Sequence, residues 1–245
     1  MHAFIAKLLN KRPGYIYQDR FESKEEAIKH SKNLQNYGSK VYDSRAIKKL
    51  KFEERHTQGR NMIVPLTLSV LGKDKCTILD VGGGVNAIFS HLSPIQKQQC
   101  QCFVLERPEI VKRLNDKIPT EYKHNLHYID SIDGIESIDI AYFGSSVQYI
   151  DNHETLLEKI SKRSAEFVIF SESIFTSNHK DYFVLQVNMF PDVFPNQFLS
   201  EQKLTKLMST AHYQCTYNKA VAGDFSHKTI KRDSYDCKTL VFKRI

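Results

Sequence analysis

The spacing of apolar and polar residues changes character along the chain. Ser23 and Glu26 stand at capping-box separation, so that a hydroxyl and a carboxylate can satisfy unpaired N–H groups at a helix start. A helix of about ten residues is predicted after them, ending near Asn36, Tyr37 and Gly38. Asp43 or Ser44 is placed to cap a second helix. Residues 1–60 thus read as a helical preface. A third helical stretch over 61–71 runs into Gly72, which suits a helix end.

From Cys76 onward, short β-rich runs alternate with helical segments, the pattern of a parallel sheet with crossover helices. Strands are expected over 76–81, 102–106, 126–129, 138–143 and 165–170, with helices over 86–92, 108–117 and 152–161. Pro108 suits a first helical turn, and Asp151 is placed to cap the third helix. The stretch 171–199 holds Phe183, Phe190, Phe194, Phe198 and two prolines and reads as a long irregular segment, too aromatic for disorder. A helix capped by Ser200 follows. Two β-rich runs, 214–221 and 236–243, flank the turn-prone 223–227 and predict a terminal antiparallel pair.

Composition narrows the class. A hydrophobic fraction of 41%, with 15 Phe and 12 Tyr, belongs to an ordered globular chain of 245 residues that can bury a full core. The longest apolar run, 62–71, is far short of the roughly 20 residues that cross a bilayer, and the basic-flanked first residues lack a signal-peptide core. A cytoplasmic protein is expected. Cys76, Cys100, Cys102, Cys215 and Cys237 form an odd set without a CxxC pair, so reduced thiols are expected and no metal site. The net charge of +7 is wholly N-terminal: residues 1–61 hold 14 Lys/Arg against 7 Asp/Glu, and the remainder holds 21 of each. Such a segment is either a solvated helix face or a surface for phosphate, nucleic acid or membrane. No nucleic-acid-binding signature accompanies it.

The chemistry concentrates at Asp80, Val81, Gly82, Gly83 and Gly84, which end the first predicted strand and open the next segment, as nucleotide-binding loops require. Gly82, Gly84 and Ala87 also match the dinucleotide fingerprint G-x-G-x-x-A. Asp80 separates the two readings. A carboxylate two residues before the first glycine repels a pyrophosphate and attracts an ammonium group, a term of about 1 to 4 kcal/mol at ~4 Å with opposite signs for the two ligands.

The segment from Ile78 to Gly84 resembles the first motif of class I S-adenosylmethionine-dependent methyltransferases, with Asn86 where many members carry a third glycine. The run ending in Glu106 resembles the second motif, whose acidic residue accepts hydrogen bonds from the ribose hydroxyls. The step of 24 residues from Gly82 to Glu106 fits one β-α-β unit. Asp130 and Ser131 resemble the loop that meets the adenine, and the segment from Gly144 through Ser145 to Asp151 resembles the fourth motif, beside the transferred methyl. No Asp/Asn-Pro-Pro-Tyr/Phe string occurs. The resemblance implies an α/β fold: a Rossmann-like seven-stranded mixed sheet with helices on both faces and a terminal antiparallel pair. It also implies S-adenosyl-L-methionine as cofactor, held by Asp80, Gly82, Gly83, Gly84, Asn86, Glu106, Asp130, Ser131 and Ser145. More narrowly, Ser23 to Ala27, the triple glycine, Ser145 to Ile150, Phe183 to Gln186, and Phe194 with Pro195 look like a methyltransferase family associated with bacterial surface-polysaccharide (O-antigen) gene clusters.

Methyl transfer asks mainly for positioning, with a base if the acceptor is a hydroxyl. Candidates beyond the strand ends are Gln148, Tyr149 and His153, then Glu172 and His179. Glu172, His153 and Tyr149 are the strongest. The plainer readings are a loop carboxylate paired with a lysine for Glu172, an exposed helix start for His153 and a plug at the sheet edge for Gln148 and Tyr149. The expected activity is methyl transfer, at oxygen, to a small molecule or saccharide. The alternatives are an NAD-dependent reductase or epimerase, for which no Tyr-x-x-x-Lys pair is present, and a non-catalytic binding module using the basic preface.

Overall fold

The computed structural model describes residues 16–32, 59–189, 192–221 and 235–245. The chain divides into two compact units, one of Met1–Lys48, Ile174–Leu204 and Ala222–Cys237, the other of Lys49–Ser173, Thr205–Val221 and Lys238–Ile245. Among the described residues no helix is long and apolar enough to cross a membrane.

The larger unit is an α/β sheet. Its strands are β2 (Cys76–Val81), β3 (Cys100–Leu105), β4 (Leu126–Ile129), β5 (Ile140–Gly144), the first part of β6 (Phe167–Thr176), β9 (Tyr213–Ala220) and most of β10 (Tyr235–Arg244). They lie in the order β4-β3-β2-β5-β6-β10-β9. Strands β4 to β6 are parallel, and β10 pairs β9 antiparallel, as the sequence predicts. Buried runs such as Ile78 to Val81 and Ile140 to Phe143 read as continuously apolar because helices cover both faces. Those helices include α2 (Gly59–Leu71), α3 (Pro94–Gln99), α4 (Pro108–Asn115), α5 (His153–Lys162) and, from Thr205 onward, α6 (Glu201–Thr210). Ile110 and Leu114 of α4, and Leu157 and Ile160 of α5, turn inward at helical spacing. Gly72, at φ +61°, ends α2.

One polar cluster ties the strand N-termini together. Lys73 Nζ lies 2.6 Å from Asp139 Oδ1 and 3.2 Å from Glu166 Oε2, while the Thr77 N–H donates to Asp139 Oδ2 at 2.7 Å. The opposite ends of β2, β3 and β5 are thereby left for chemistry.

The smaller unit is a three-stranded antiparallel sheet of β1 (Ile16–Phe21), β7 (Tyr182–Met189) and β8 (Asp192–Ser200), with the end of β6 beside β8 through Phe175 and Leu199. Helix α1 (Lys24–Lys32) opens at Ser23, whose Oγ accepts the Glu26 N–H at 3.1 Å as a capping box predicts, while the Glu26 carboxylate accepts the N–H of Glu22, one residue before the cap. Phe21, Ala27, Leu185 and Val193 pack in one cluster, and Tyr17, Ile174, Tyr182, Val184, Phe198 and Tyr235 in another.

Several expectations are corrected. The stretch 171–199 is not irregular: β6 continues to Thr176 and β7 and β8 form a hairpin. Tyr182, Val184, Leu185 and Gln186 of β7 and Asn196 to Ser200 of β8 are buried, which erases the apolar-polar alternation that marks a half-exposed strand. Ile16–Phe21 is a strand within the expected helical preface. The helix expected over 86–92 is instead two 3-10 turns, Gly84–Asn86 and Ile88–His91, divided by an extended Ala87. Asp151 does not cap α5: Asn152 holds that position, without a side-chain bond. Helix α3, opened by a capping box of Ser93 and Gln96, was not anticipated. The helix expected near Asp43 and the turn at 223–227 lie outside the described residues.

Candidate functional site

The strand order reverses between β2 and β5: from β2 the chain steps outward to β3 and β4, then returns to β5 on the other side. A crevice at the strand C-termini is expected at such a point. Asp80, one residue before the end of β2, is 1% exposed, and its Oδ2 accepts the Ile88 N–H at 2.6 Å. That bond draws the chain after the glycines back over the strand. Asp80 Oδ1 is buried without a hydrogen-bond partner among the described residues. Burial pushes the Asp80 carboxyl up to about 7, and the charge of Glu106 adds to the rise, while the Ile88 bond and the charge of Arg60 oppose it.

Each glycine has its own steric reason. A Cβ on Gly82 would lie 2.8 Å from Ser146 Cβ, and φ there is +71°. One on Gly83 would lie 2.5 Å from Asp80 Cγ, inside contact distance. Gly84, at φ +53°, would place a Cβ 3.2 Å from Glu106 Oε1. The loop is held from both sides: the Gly82 N–H donates to Leu105 O at 2.9 Å, and the Tyr128 hydroxyl to Gly84 O at 3.0 Å. Asn86 closes the first 3-10 turn. Ser146 donates from Oγ to Val81 O, bridging the ends of β5 and β2.

Glu106 follows β3 directly, with its N–H on Ile129 O at 2.9 Å and its Oε2 accepting the Arg107 N–H at 3.2 Å. Asp130 is exposed at the end of β4, next to Glu106 in register. Ser131 is engaged locally, donating to Asp133 Oδ2 at 2.8 Å and accepting the Asp133 N–H at 3.2 Å. The loop, Glu106 and Ser145 therefore share one end of the sheet, where Asp130 and Ser131 follow β4, the strand paired with β3.

Beyond β5 the backbone is strained. Ser145 has φ +62° and Glu172, inside β6, φ +48°; such conformations cost on the order of 1–3 kcal/mol each for residues with a Cβ. Ser145 Oγ donates to Glu172 O at 2.7 Å, so each kink supports the other. Gln148 is 4% exposed; its Nε2 donates to Ser145 O at 3.1 Å and its Oε1 has no partner. Tyr149 is 41% exposed at the end of the turn Val147–Tyr149. His153, expected at an exposed helix start, is buried. His179 lies in the smaller unit, its Nδ1 2.7 Å from Gln202 Oε1.

The start of α2 carries site contacts that no sequence pattern marks. The Arg60 carbonyl accepts from the Tyr142 hydroxyl at 3.2 Å and from Ser171 Oγ at 2.9 Å. The same Tyr142 hydroxyl lies 3.0 Å from Asn61 Oδ1, so its single proton is shared between the two oxygens, and Asn61 Nδ2 lies 3.0 Å from His91 Nε2. This fixes Arg60 at the strand C-termini, with its guanidinium 3.9 Å from Glu172 Oε2. In the sequence Arg60 was one more cation of a basic segment, and no spacing marked it.

The chain resembles solved methyltransferase structures. With the S-adenosylmethionine-bound CalS10, an amino pentose methyltransferase from Micromonospora echinaspora, it shares 12% identity over 84% of this chain and 97% of the other, at a TM-score of 0.51. An S-adenosylmethionine-dependent methyltransferase from Clostridium acetobutylicum matches at 10% identity, with the same coverage and TM-score. The magnesium protoporphyrin IX methyltransferase ChlM from Synechocystis, solved with bound S-adenosylmethionine, matches at 11% identity over 85% of this chain and 92% of its own, again at 0.51. The fold is that of the class I methyltransferases. No family model and no curated protein matches the chain.

Proposed function

We propose that this protein transfers a methyl group from S-adenosylmethionine to a hydroxyl of a small-molecule or glycan acceptor. One observation carries the reading: Asp80 Oδ1 and Gln148 Oε1, both buried at the strand ends flanking the reversal of strand order, are acceptor oxygens without donors. Buried polar groups left unpaired are costly, so the ligand that belongs here brings N–H donors. An ammonium group does so, whereas a pyrophosphate offers only acceptors and faces the Asp80 charge.

The other groups fit the same ligand. Gly82, Gly83, Gly84 and Asn86 let it approach the backbone, Glu106 beside Gly84 accepts the ribose hydroxyls, and Asp130 and Ser131 border the adenine. Ser145 shapes the wall next to the transferred group. S-adenosylmethionine, when bound, supplies an electrophilic methyl on a sulfonium. Positioning then accounts for most of the rate, with Glu172 taking the acceptor proton and Tyr149 lining the acceptor side. His153, withdrawn from solvent, is the second candidate base. The saccharide class follows the sequence resemblance to the surface-polysaccharide-associated family.

A transfer assay with the labelled cofactor against nucleotide sugars and oligosaccharides tests the reading. Label should appear in a glycan and fall by roughly 10²-fold or more in Glu172→Gln, the scale of a lost general base. Label passing only to non-glycan small molecules removes the saccharide half of the proposal. A preparation that binds no S-adenosylmethionine overturns it.

A further inference from the structure

The Arg60 side chain is 27% exposed, and among the described residues the one charged partner of its guanidinium is Glu172 Oε2, at 3.9 Å. That distance is an ion pair without a hydrogen bond. Five N–H donors in a fixed fork thus stand at the site with no acceptor within bonding distance among the described residues, an arrangement suited to a carboxylate or phosphate. The placement is built rather than accidental: Tyr142 and Ser171 both donate to the Arg60 carbonyl, and Asn61, the next residue, is held between Tyr142 and His91. The charge of Arg60 also reaches Asp80, so the guanidinium and the partnerless Asp80 oxygen belong to one electrostatic neighbourhood.

A donor fork and partnerless acceptor oxygens, at Asp80 and Gln148, are complementary in sign to an α-amino acid zwitterion. A ligand carrying only an ammonium would leave the fork unused, and one carrying only an anion would leave the oxygens unused. We propose that Arg60 is the carboxylate-binding residue of the cofactor's amino-acid head, giving up its long contact with Glu172 when the ligand arrives. The assignment rests on the methyl-transfer reading above and adds a residue and a consequence: ligand binding frees the Glu172 carboxylate for the acceptor.

The test is a ligand-by-variant comparison of dissociation constants by calorimetry, using S-adenosylmethionine and its decarboxylated analogue. The wild type should prefer the carboxylated ligand by about tenfold or more, as expected for a charge-assisted bidentate pair. Arg60→Gln should lose that preference while binding the decarboxylated analogue within about twofold of the wild type, by the same reasoning. Glu172→Gln, which removes the competing anion and leaves Arg60 in place, should bind S-adenosylmethionine more tightly and the analogue unchanged. A wild type that binds both ligands equally, or an Arg60→Gln variant that weakens both by the same factor, overturns the assignment and leaves the methyl-transfer reading standing. A wild type that binds neither ligand overturns both.

Discussion

Gly83 rests on the carboxylate of Asp80, three residues before it: a Cβ at Gly83 would meet Asp80 Cγ at 2.5 Å. The middle glycine is therefore demanded by the buried acid beneath it rather than by its own backbone angles. Gly83→Ala should destabilise the fold by about 1–3 kcal/mol through overpacking and weaken S-adenosylmethionine binding. Because the clash is with one side chain, Asp80→Ala in the same chain should recover part of the stability lost by Gly83→Ala. Chemical denaturation of the single and double variants measures the coupling, and strictly additive losses would refute the steric account.

Asp80 also sets a pH dependence. Its carboxyl is raised from 3.8 to about 7 in the fold, so the native state binds a proton that the unfolded chain releases. Stability then falls as pH rises between the two values and levels off above about 7, by on the order of 4 kcal/mol for this group alone. Urea unfolding between pH 4 and pH 8 should show this slope in the wild type and a smaller one in Asp80→Asn. A bound cation reverses the sign of the interaction, so S-adenosylmethionine should stabilise the protein more at pH 8 than at pH 5.

Glu106 lies beside Gly84, and its role should separate from folding. The residue is partly exposed, and its Oε2 accepts the neighbouring Arg107 N–H at 3.2 Å. Glu106→Ala should cost about 2–4 kcal/mol of cofactor affinity, the scale of two hydrogen bonds to a charged acceptor, with little change in melting temperature. Calorimetry and thermal unfolding on the same preparation check the two halves.

At the far end of the sheet, Asp139 joins Lys73 to the start of β2 through the Thr77 N–H. Asp139→Ala should lower unfolding free energy by about 1–3 kcal/mol, chiefly through the unpaired backbone donor rather than the solvent-screened ion pair. Cofactor affinity should not change.

The parallel half of the fold was legible because its strands are short apolar runs with helices between them, and because one loop concentrates three glycines after an acid. The smaller unit was not. Gln186 and Asn196 are fully buried with Asn196 Nδ2 on Gln186 Oε1 at 2.8 Å, so polar letters occupy positions that the chain treats as interior. The same holds at the site: Asp80, Glu106 and Ser145 are visible as motif positions. Ser146, Tyr142 and Arg60 act through contacts across 65, 81 and 111 residues of sequence, which no local pattern encodes. The 3-10 turn at Ile88–His91 opens where the Ile88 N–H donates to Asp80 Oδ2, a contact that helix propensity does not encode.

The most direct test of the account is a calorimetric titration of the wild-type protein with S-adenosylmethionine, and in parallel with NADH. Saturable one-to-one binding of the sulfonium ligand and no heat from the dinucleotide are expected. Binding of NADH, with none of S-adenosylmethionine at millimolar concentration, would contradict it.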